Sequence, residues 1–278
     1  GNVSRPSIVS LMSGIYDAGL ELNEREQFWN GAFPTSFAYQ MKRLGYQTIY
    51  WYGGNTSYGN FNHFSKAQGF DRVESASIFC GPDAPKTWVG VYDHIFLENM
   101  EQQIKALDTP TFHFIYTTSN HSPYKIEDSL LDYDPATVMP HVCEDLRSNK
   151  TRNKELATYR YSDKALFSFV DSMKKAYPDS LFIITGDHSN LFGSLNNTSL
   201  IHRDYTLRDT FCTVALLQHP DLDSNVIATQ KGTHMSLMPT IIEAIAPKGF
   251  EYYSITPSLF DDQPETLVTP YQWITDSL

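Results

Sequence analysis

The sequence has few cysteines, the residues that form the disulfides of small secreted proteins and bind structural zinc. Its 278 residues include three cysteines, Cys80, Cys143 and Cys212, and no two of them have CxxC spacing. Three cysteines are too few for a disulfide framework. Cys212 lies in an apolar stretch that predicts a buried strand and therefore a core thiol. Cys80 and Cys143 lie in polar, loop-like surroundings, where a disulfide in an oxidising compartment stays an open alternative.

Long apolar runs and an excess of positive charge are also missing. No run approaches the ~20 apolar residues that a membrane helix needs, and the first residues lack the shape of a signal peptide. Lys and Arg number 21 against 32 Asp and Glu, for a formal net charge of −11. Nucleic-acid binding depends on neutralising phosphates, so we expect no nucleic-acid partner. A local cation site needs only a few ligands and is compatible with this charge.

The composition that is present predicts a folded α/β protein. Apolar residues make up 41% and charged residues 19% of the chain, which favours a packed core over disorder. Helical and strand patterns alternate, which predicts a mostly parallel sheet with helices on both faces. We expect strands at 47–52, 112–116, 181–185 and around Cys212, and helices at 37–44, 91–107, 155–177 and about 235–246. The stretch 129–153 is predicted to be a long loop.

Adjacent acidic and imidazole side chains follow one of the predicted strands. Asp187 and His188 come directly after the apolar stretch 181–185, and ligands of such sheets bind at the carboxyl ends of strands. A carboxylate oxygen with an imidazole nitrogen suits Zn²⁺ or Mn²⁺ better than Ca²⁺. The alternative is a capping Asp187 beside a surface His188, and spacing alone does not separate the two.

Two further histidines lie at ends of predicted elements. His121, in the loop after strand 112–116, is a candidate general acid for a leaving oxygen or a ligand for an anionic substrate. A loop histidine that caps a turn is its more common alternative. His234 precedes a predicted helix and is a candidate ligand for substrate or metal, although many such residues merely begin a helix.

The first residues place hydroxyl groups near the head of a helix. A serine at that place, near a cation, is a plausible nucleophile, because the helix terminus and the cation both stabilise an alkoxide. The alternative is an N-cap serine, which is the more common use of serine there. Local physics does not separate Ser4, Ser7 and Ser10.

Taken in order, these motifs resemble the sulfatase-like branch of the alkaline phosphatase superfamily. The nearest likeness is to lipoteichoic acid synthases and phosphoglycerol transferases, followed by phosphoethanolamine transferases. The matching segments extend from Ser4 to about Ile245. They are 51–55 (WYGGN), 66–71 (KAQGFD), 88–93 (WVGVYD), 120–124 (NHSPY), 159–163 (YRYSD), 186–188 (GDH) and 237–240 (LMPT).

The resemblance implies a three-layer sandwich and a role for each matching residue. It implies Ser4 as nucleophile and metal ligand, Asp187 and His188 as metal ligands, His121 as a catalytic and substrate-binding residue, and His234, Asn55 and Arg5 as substrate-binding residues. It also implies one divalent metal, Mn or Zn, with Mg as an alternative and a second Zn as a further option.

The sequence departs from the family pattern in three places. The family's remaining metal ligand is an acidic residue on a first strand before the nucleophile, but only three residues precede Ser4. We therefore expect one catalytic domain over 1–278 that lacks its first strand and has a C-terminal extension at about 247–278. Tyr52 stands where lipoteichoic acid synthases carry a substrate-binding histidine. Ile8 stands where the sulfatase maturation motif has arginine, which argues against formylglycine at residue 4.

The function implied is transfer of a phospho-head group. A phospholipid would donate phosphoglycerol or phosphoethanolamine to a cell-envelope glycan or lipid through a covalent phospho-serine at Ser4. A sulfate or phosphate ester hydrolase is the first alternative, and a degenerate, non-catalytic binding domain is the second. The resemblance also implies a monomeric extracytoplasmic domain of a bacterial protein that is anchored in the membrane through a missing N-terminal region.

Overall fold

The computed structural model describes residues 3–131, 149–189, 211–223 and 231–261, together with the backbone of two short strands that follow. Its α-helices are α1 Ser4–Ser13, α2 Phe37–Arg43, α3 Phe61–Ala67, α4 Ala76–Phe79, α5 Asp93–Lys105, α6 Lys150–Ala176 and α7 His234–Ile245. Its strands are β1 Gln47–Tyr52, β2 Arg72–Ser75, β3 Thr111–Tyr116, β4 Phe182–Thr185, β5 Ala215–Gln218, β6 Thr266–Val268 and β7 Trp273–Thr275.

The first three strands form a parallel sheet in the order β2-β1-β3. Tyr52 at the end of β1 pairs in register with Ser75 on one side and with Tyr116 on the other. The carboxyl ends of all three strands therefore meet at one edge of the sheet. Strands β4 and β5 pair antiparallel, and so do β6 and β7.

The two faces of this sheet are covered by different helices. Side chains alternate along a strand, so Tyr50 and Tyr52 of β1 face one way while Ile49 and Trp51 face the other. The tyrosines join a buried cluster with α1 and α3. Ile49 and Trp51 join a second cluster with α5 and α6. Helix, sheet and helix form three layers, which confirms the predicted α/β fold class.

Close backbone packing fixes the loops at the carboxyl edge of the sheet. A Cβ atom on Gly90 would lie 2.4 Å from the carbonyl oxygen of Gly53 and 2.4 Å from Oγ1 of Thr118. The Val91 N–H donates to that same Gly53 carbonyl at 2.9 Å. Only glycine at position 90 lets the 88–91 turn approach the end of β1 this closely.

One strand prediction is wrong in its position and its burial. The strand expected around Cys212 begins at Ala215 and is mostly exposed, and Cys212 is an exposed free thiol rather than a core residue. An apolar run does not by itself distinguish a central strand from one that is covered on one side only. Cys80 is a half-buried free thiol, whereas Cys143 and most of the predicted loop 129–153 lie outside the described residues.

The other predicted helices and strands are found close to their expected bounds. The main difference is α6, which begins at Lys150 because the Asn149 side chain accepts a hydrogen bond from the Arg152 N–H. Within the described part of the chain, no helix combines the length and apolarity that crossing a bilayer requires.

Candidate active site

The structure distinguishes Ser4 from the other two serines near the head of α1. Val3 occupies the N-cap position and Ser4 is the first helical residue, so Ser4 does not cap the helix. Its Oγ lies 3.2 Å from Nε2 of His188. Ser7 and Ser10 are buried, and their hydroxyls donate to backbone carbonyls of the preceding turn. Ser4 is therefore the one of these three serines whose hydroxyl faces His188.

The turn after β4 presents an acid and an imidazole to Ser4. The His188 Nδ1–H donates to the Ser189 carbonyl at 2.7 Å, which leaves the Nε2 lone pair directed at Ser4. Asp187 accepts the His188 backbone N–H at 3.0 Å through Oδ1, and its Oδ2 lies 3.7 Å from His188 Nε2. Both side chains are partly buried. The strand and helix termini thus bring together three of the predicted site residues.

The family resemblance implies a divalent metal, and these three donors fit one. Two donors that each bind zinc at ~2.1 Å with tetrahedral angles lie roughly 3.4 Å apart. The separations of 3.2 Å from Ser4 Oγ to His188 Nε2, and of 3.7 Å from that nitrogen to Asp187 Oδ2, bracket this value. In the part of the chain that the structure describes, no His, Cys, Asp or Glu side chain adds a third ligand of those types.

His234 lies beside the same turn. It is the first residue of α7, and its Nε2–H donates to the Gly186 carbonyl at 2.9 Å. Burial lowers the pKa of His234, which favours the neutral imidazole. With Nε2 committed to the carbonyl, Nδ1 keeps its lone pair. His234 therefore lies beside the turn that carries Asp187 and His188, and its substrate-binding role stays a prediction.

His121 occupies an exposed position in the loop after β3. Its Nδ1–H donates to the Ser122 carbonyl at 2.6 Å, and its ring meets Trp88 edge-to-face at a centroid distance of 5.2 Å. Among the described residues, no contact joins His121 to Ser4, Asp187 or His188. Its predicted role as a general acid is therefore neither supported nor opposed by a direct contact.

Arg5 and Asn55 have partners of their own. The Arg5 guanidinium pairs with Glu24 at 2.8 Å and lies over the Tyr58 ring at 5.9 Å. Asn55 Oδ1 accepts from the backbone N–H and the hydroxyl of Ser57 within its loop. A substrate would compete with these contacts, and the substrate-binding roles of both residues stay predictions.

Sequence reasoning did not single out Tyr116, a tyrosine at the carboxyl end of β3. Tyr116 ends β3, and its ring stacks on Tyr52 with centroids 5.1 Å apart. Burial first, and then the Asp187 carboxylate, hold the pKa of Tyr116 well above its usual value. Burial, and then Tyr58, raise the pKa of Tyr52 to about 12. Two aromatic residues at the ends of neighbouring strands were the only signal available in the sequence.

Comparisons with known proteins agree with the family resemblance found in the sequence. The Sulfatase family model matches residues 1–246. Lipoteichoic acid synthase 1 of Bacillus subtilis is 22% identical over 234 residues, which cover 82% of this chain and 35% of that protein. The chain thus spans about a third of the length of this curated relative.

Solved structures share the fold. The lipoteichoic acid synthase LtaP from Listeria monocytogenes superposes with a TM-score of 0.76 at 16% identity, over 92% of this chain and 63% of that one. The periplasmic domain of EcEptC from Escherichia coli in complex with Zn gives 0.62 at 17% identity, over 86% and 71%. The resemblance inferred from the motifs is confirmed.

Proposed function

Because this chain belongs to the Sulfatase family, we propose that it is a metal-dependent transferase of a phospholipid-derived phospho-head group. The head group is phosphoglycerol or phosphoethanolamine, and the acceptor is a cell-envelope glycan or lipid. The observation that supports this most directly is the Ser4 hydroxyl at the head of α1, 3.2 Å from His188 and next to the Asp187 turn.

The chemistry follows from where Ser4 lies. Its Oγ attacks phosphorus as the Oγ–H bond breaks, the bond from phosphorus to the lipid oxygen is broken, and the proton ends on the released diacylglycerol. An acceptor hydroxyl then attacks the phospho-serine at Ser4, and its proton returns to Oγ. Ser4 is the first residue of α1, so a phosphoryl group bound to its Oγ would lie near the first N–H groups of the helix, whose positive end favours an anion.

Ser4, Asp187 and His188 are the proposed ligands of one divalent metal, Mn or Zn. When bound, such an ion supplies a Lewis acid that stabilises charge on phosphoryl oxygens. The EcEptC domain, which was solved with Zn, shares this fold. His188 presents a lone pair at Nε2 because its Nδ1–H is committed to Ser189, the arrangement that orients a metal-binding histidine.

The location and partners are part of the same proposal. A phospholipid donor and an envelope acceptor are both present at the outer surface of the membrane, and we propose that this domain acts there. Lipoteichoic acid synthase 1 and LtaP are named for an envelope polymer. This chain matches 35% of the first protein and superposes on 63% of the second.

The experiment offers vesicles of phosphatidylglycerol or phosphatidylethanolamine, with Mn²⁺ or Zn²⁺, and measures diacylglycerol release and the mass of the Ser4 peptide. We expect a phospho-adduct on Ser4 whose mass identifies the head group. Ser4→Ala should lose the adduct and at least about a thousandfold in rate. Ser7→Ala is the matched control, because its hydroxyl donates to a backbone carbonyl and faces away from the site.

Each alternative predicts a different result. Formylglycine at residue 4, or turnover of sulfate esters with no lipid cleavage, would replace the transferase with a hydrolase. Intact turnover in Ser4→Ala would reject the mechanism. A chain that binds lipid vesicles but neither binds metal nor releases diacylglycerol would be a binding domain.

A further inference from the structure

The two most exposed large apolar side chains of the described chain lie in one segment. Ile78 is 77% exposed and Trp88 is 71% exposed, the highest fractions among such side chains in the part of the chain that the structure describes. Both belong to residues 76–91, which follow β2. Apolar residues scattered singly over a surface need no explanation, so the place of these two in the fold decides what they mean.

Both ends of the 76–91 segment are fixed to the carboxyl edge of the parallel sheet. Where the segment begins, the Ser75 hydroxyl donates to the Gly54 carbonyl just past β1 at 3.0 Å. Where it ends, the Val91 N–H donates to the Gly53 carbonyl at 2.9 Å. The segment therefore extends from the edge of the sheet at which the strands β1, β2 and β3 end.

Ser4, the proposed nucleophile, lies at the same edge. The guanidinium of Arg5, the next residue, lies over the ring of Tyr58 at 5.9 Å, in the loop that follows β1. Trp88 in turn meets His121, in the loop that follows β3, with ring centroids 5.2 Å apart. The exposed apolar segment and the proposed site therefore share one side of the molecule.

Trp88 lies at the tip of a tight turn that holds its ring in a fixed place. The Thr87 N–H donates to the Gly90 carbonyl at 2.8 Å across this turn. The Trp88 Nε1–H donates to the Ser122 carbonyl at 3.2 Å. The one polar atom of the indole thus has a partner within the protein, so the ring can leave water without losing a hydrogen bond.

We propose that residues 76–91 contact the surface of a phospholipid bilayer and that Ile78 and Trp88 enter its interface. This inference rests on the proposed function. The head group that Ser4 attacks stays joined to its acyl chains until the bond to the lipid oxygen breaks, so the site must approach the membrane surface. Tryptophan is enriched at that depth of a membrane, because its ring is apolar and its N–H is polar.

This contact is apolar rather than electrostatic. Asp83 and Lys86 are the charged residues of the 76–91 segment and their charges cancel, while the whole chain carries a formal charge of −11. We therefore expect the chain to bind neutral phosphatidylcholine vesicles, and its affinity to change little with salt. Binding that requires anionic lipid, or that is lost at high salt, would overturn the proposal.

Vesicle binding of matched variants tests the two side chains. Ile78→Ala and Trp88→Ala should each weaken the affinity for phosphatidylcholine vesicles about tenfold, because each removes apolar area that enters the interface. The controls are Ile255→Ala and Tyr253→Ala, which are 59% and 63% exposed. Tyr253 lines a surface cavity with Arg43, which precedes the first residue of β1 and so lies at the opposite edge of the sheet. The controls should bind like the wild type, and equal losses in both pairs would overturn the proposal.

Fluorescence quenching tests the place of the Trp88 ring. Bromine atoms on the acyl chains of phosphatidylcholine quench an indole that enters the bilayer, so we expect vesicles of this lipid to quench the wild-type protein. Trp88→Phe keeps an aromatic ring and should bind within about threefold of the wild type, but it should lose the quenching. Quenching that persists in Trp88→Phe would place the contact at another tryptophan and reject the proposal.

Activity separates membrane contact from a role in the chemical step. Ile78→Ala should release diacylglycerol about tenfold more slowly than the wild type from subsaturating phosphatidylglycerol or phosphatidylethanolamine vesicles. It should cleave a water-soluble, short-chain analogue of the same lipid at the wild-type rate. A loss with both substrates, or with neither, would overturn the membrane contact of Ile78. If the wild type cleaves neither substrate, the transferase is wrong, whereas the vesicle-binding and quenching results still decide the contact.

Discussion

His113 is a buried histidine whose ionisation opposes folding. It lies in the middle of β3, where its Nδ1 accepts a hydrogen bond from Trp51 Nε1 at 3.0 Å. Burial, with a smaller contribution from the nearby Arg72 guanidinium, lowers the pKa of His113 to about 4. The imidazole is therefore neutral in the folded protein, and its acceptor nitrogen satisfies the indole N–H of a fully buried tryptophan.

This pKa predicts a loss of stability in mild acid. The unfolded chain binds a proton at His113 below about pH 6.5, whereas the folded chain does so only near pH 4. The contribution of neutral His113 to the free energy of unfolding is therefore complete above about pH 6.5 and decreases as the pH falls toward 4. Between pH 7 and pH 5 we expect a loss of about 2 kcal/mol from this residue. His113→Gln keeps an acceptor for Trp51 but does not titrate. Urea unfolding at both pH values should therefore show a smaller loss of stability between about pH 7 and pH 5 in this variant than in the wild type. Equal losses in both proteins would contradict the prediction.

The site could be predicted from sequence only in part, and Ser4 shows why. Local patterns identified a serine near a helix head, and the family resemblance pointed to Ser4. The contact that distinguishes Ser4 physically from Ser7 and Ser10 is with His188, 184 residues away in the chain. Local patterns identify residue types that can do chemistry, whereas the choice among them depends on tertiary distances.

At the scale of elements, two buried carboxylates hold the loop that carries His121. Asp93, the first residue of α5, accepts the backbone N–H groups of Thr118 and Ser119 at 3.0 Å each. Glu155 of α6 accepts the Tyr124 hydroxyl at 3.0 Å. Asp93 and Glu155 are 1% and 2% exposed, so neither partner can be replaced by water without rearrangement. The loop after β3 is therefore fixed on both sides of His121.

Asp93→Ala should destabilise the protein by about 2–4 kcal/mol, because two buried N–H groups lose their acceptor. Asp93→Asn should lose much less stability, because its amide oxygen can accept both hydrogen bonds. Burial also raises the pKa of Asp93, so a negative charge is disfavoured at this position. Urea unfolding measures both variants. An alanine variant as stable as the asparagine variant would show that these bonds do not hold the loop.

The 88–91 turn gives a second prediction at this scale. Gly90→Ala would place a methyl group 2.4 Å from the Gly53 carbonyl oxygen, a backbone atom that cannot move aside without breaking the bond to Val91. We expect a loss of about 1–3 kcal/mol, as is typical of overpacking. Gly31→Ala is the control, because its Cβ would meet nothing within 4 Å. Equal melting temperatures for the two variants would contradict this account.

Most elements were predictable because their patterns are periodic, and the exceptions have local causes. Strand β1 was predicted with its observed bounds, since its β-branched and aromatic residues are followed by two glycines. Helix α6 was predicted to begin five residues late, because polar residues fill its first turns and Asn149 supplies the cap. Its buried face includes Tyr161 and Ala165, whereas Leu156 and Leu166 are half-buried.

At the scale of the whole molecule, the site depends on the complete fold of the described chain. Ser4 comes from the head of α1, Asp187 and His188 from the end of β4, and His234 from the head of α7. The three segments meet only when helices and sheet have packed. A ligand that binds these groups together must therefore stabilise the folded state relative to the unfolded one.

Metal binding should accordingly raise the stability of the whole protein. A metal that binds the folded chain alone adds about 2.7 kcal/mol at a free concentration a hundred times its Kd. We expect Mn²⁺ or Zn²⁺ to raise the melting temperature of the metal-stripped protein in proportion to the logarithm of its concentration, and a chelator to reverse the change. Asp187→Asn and His188→Gln should each remove most of this shift.

The surface pair His219 and Asp221 is the control for this experiment. It distinguishes metal binding at the proposed site from nonspecific metal binding by any neighbouring histidine and aspartate. Its imidazole and carboxylate lie 3.9 Å apart, close to the 3.7 Å between His188 and Asp187, but Asp221 is almost fully exposed. His219→Gln and Asp221→Asn should keep the full wild-type shift, because two ligands at an exposed place bind a metal weakly. If these variants lose the shift while the Asp187 and His188 variants keep it, the metal binds at the surface, and the ligand set proposed with Ser4 is wrong.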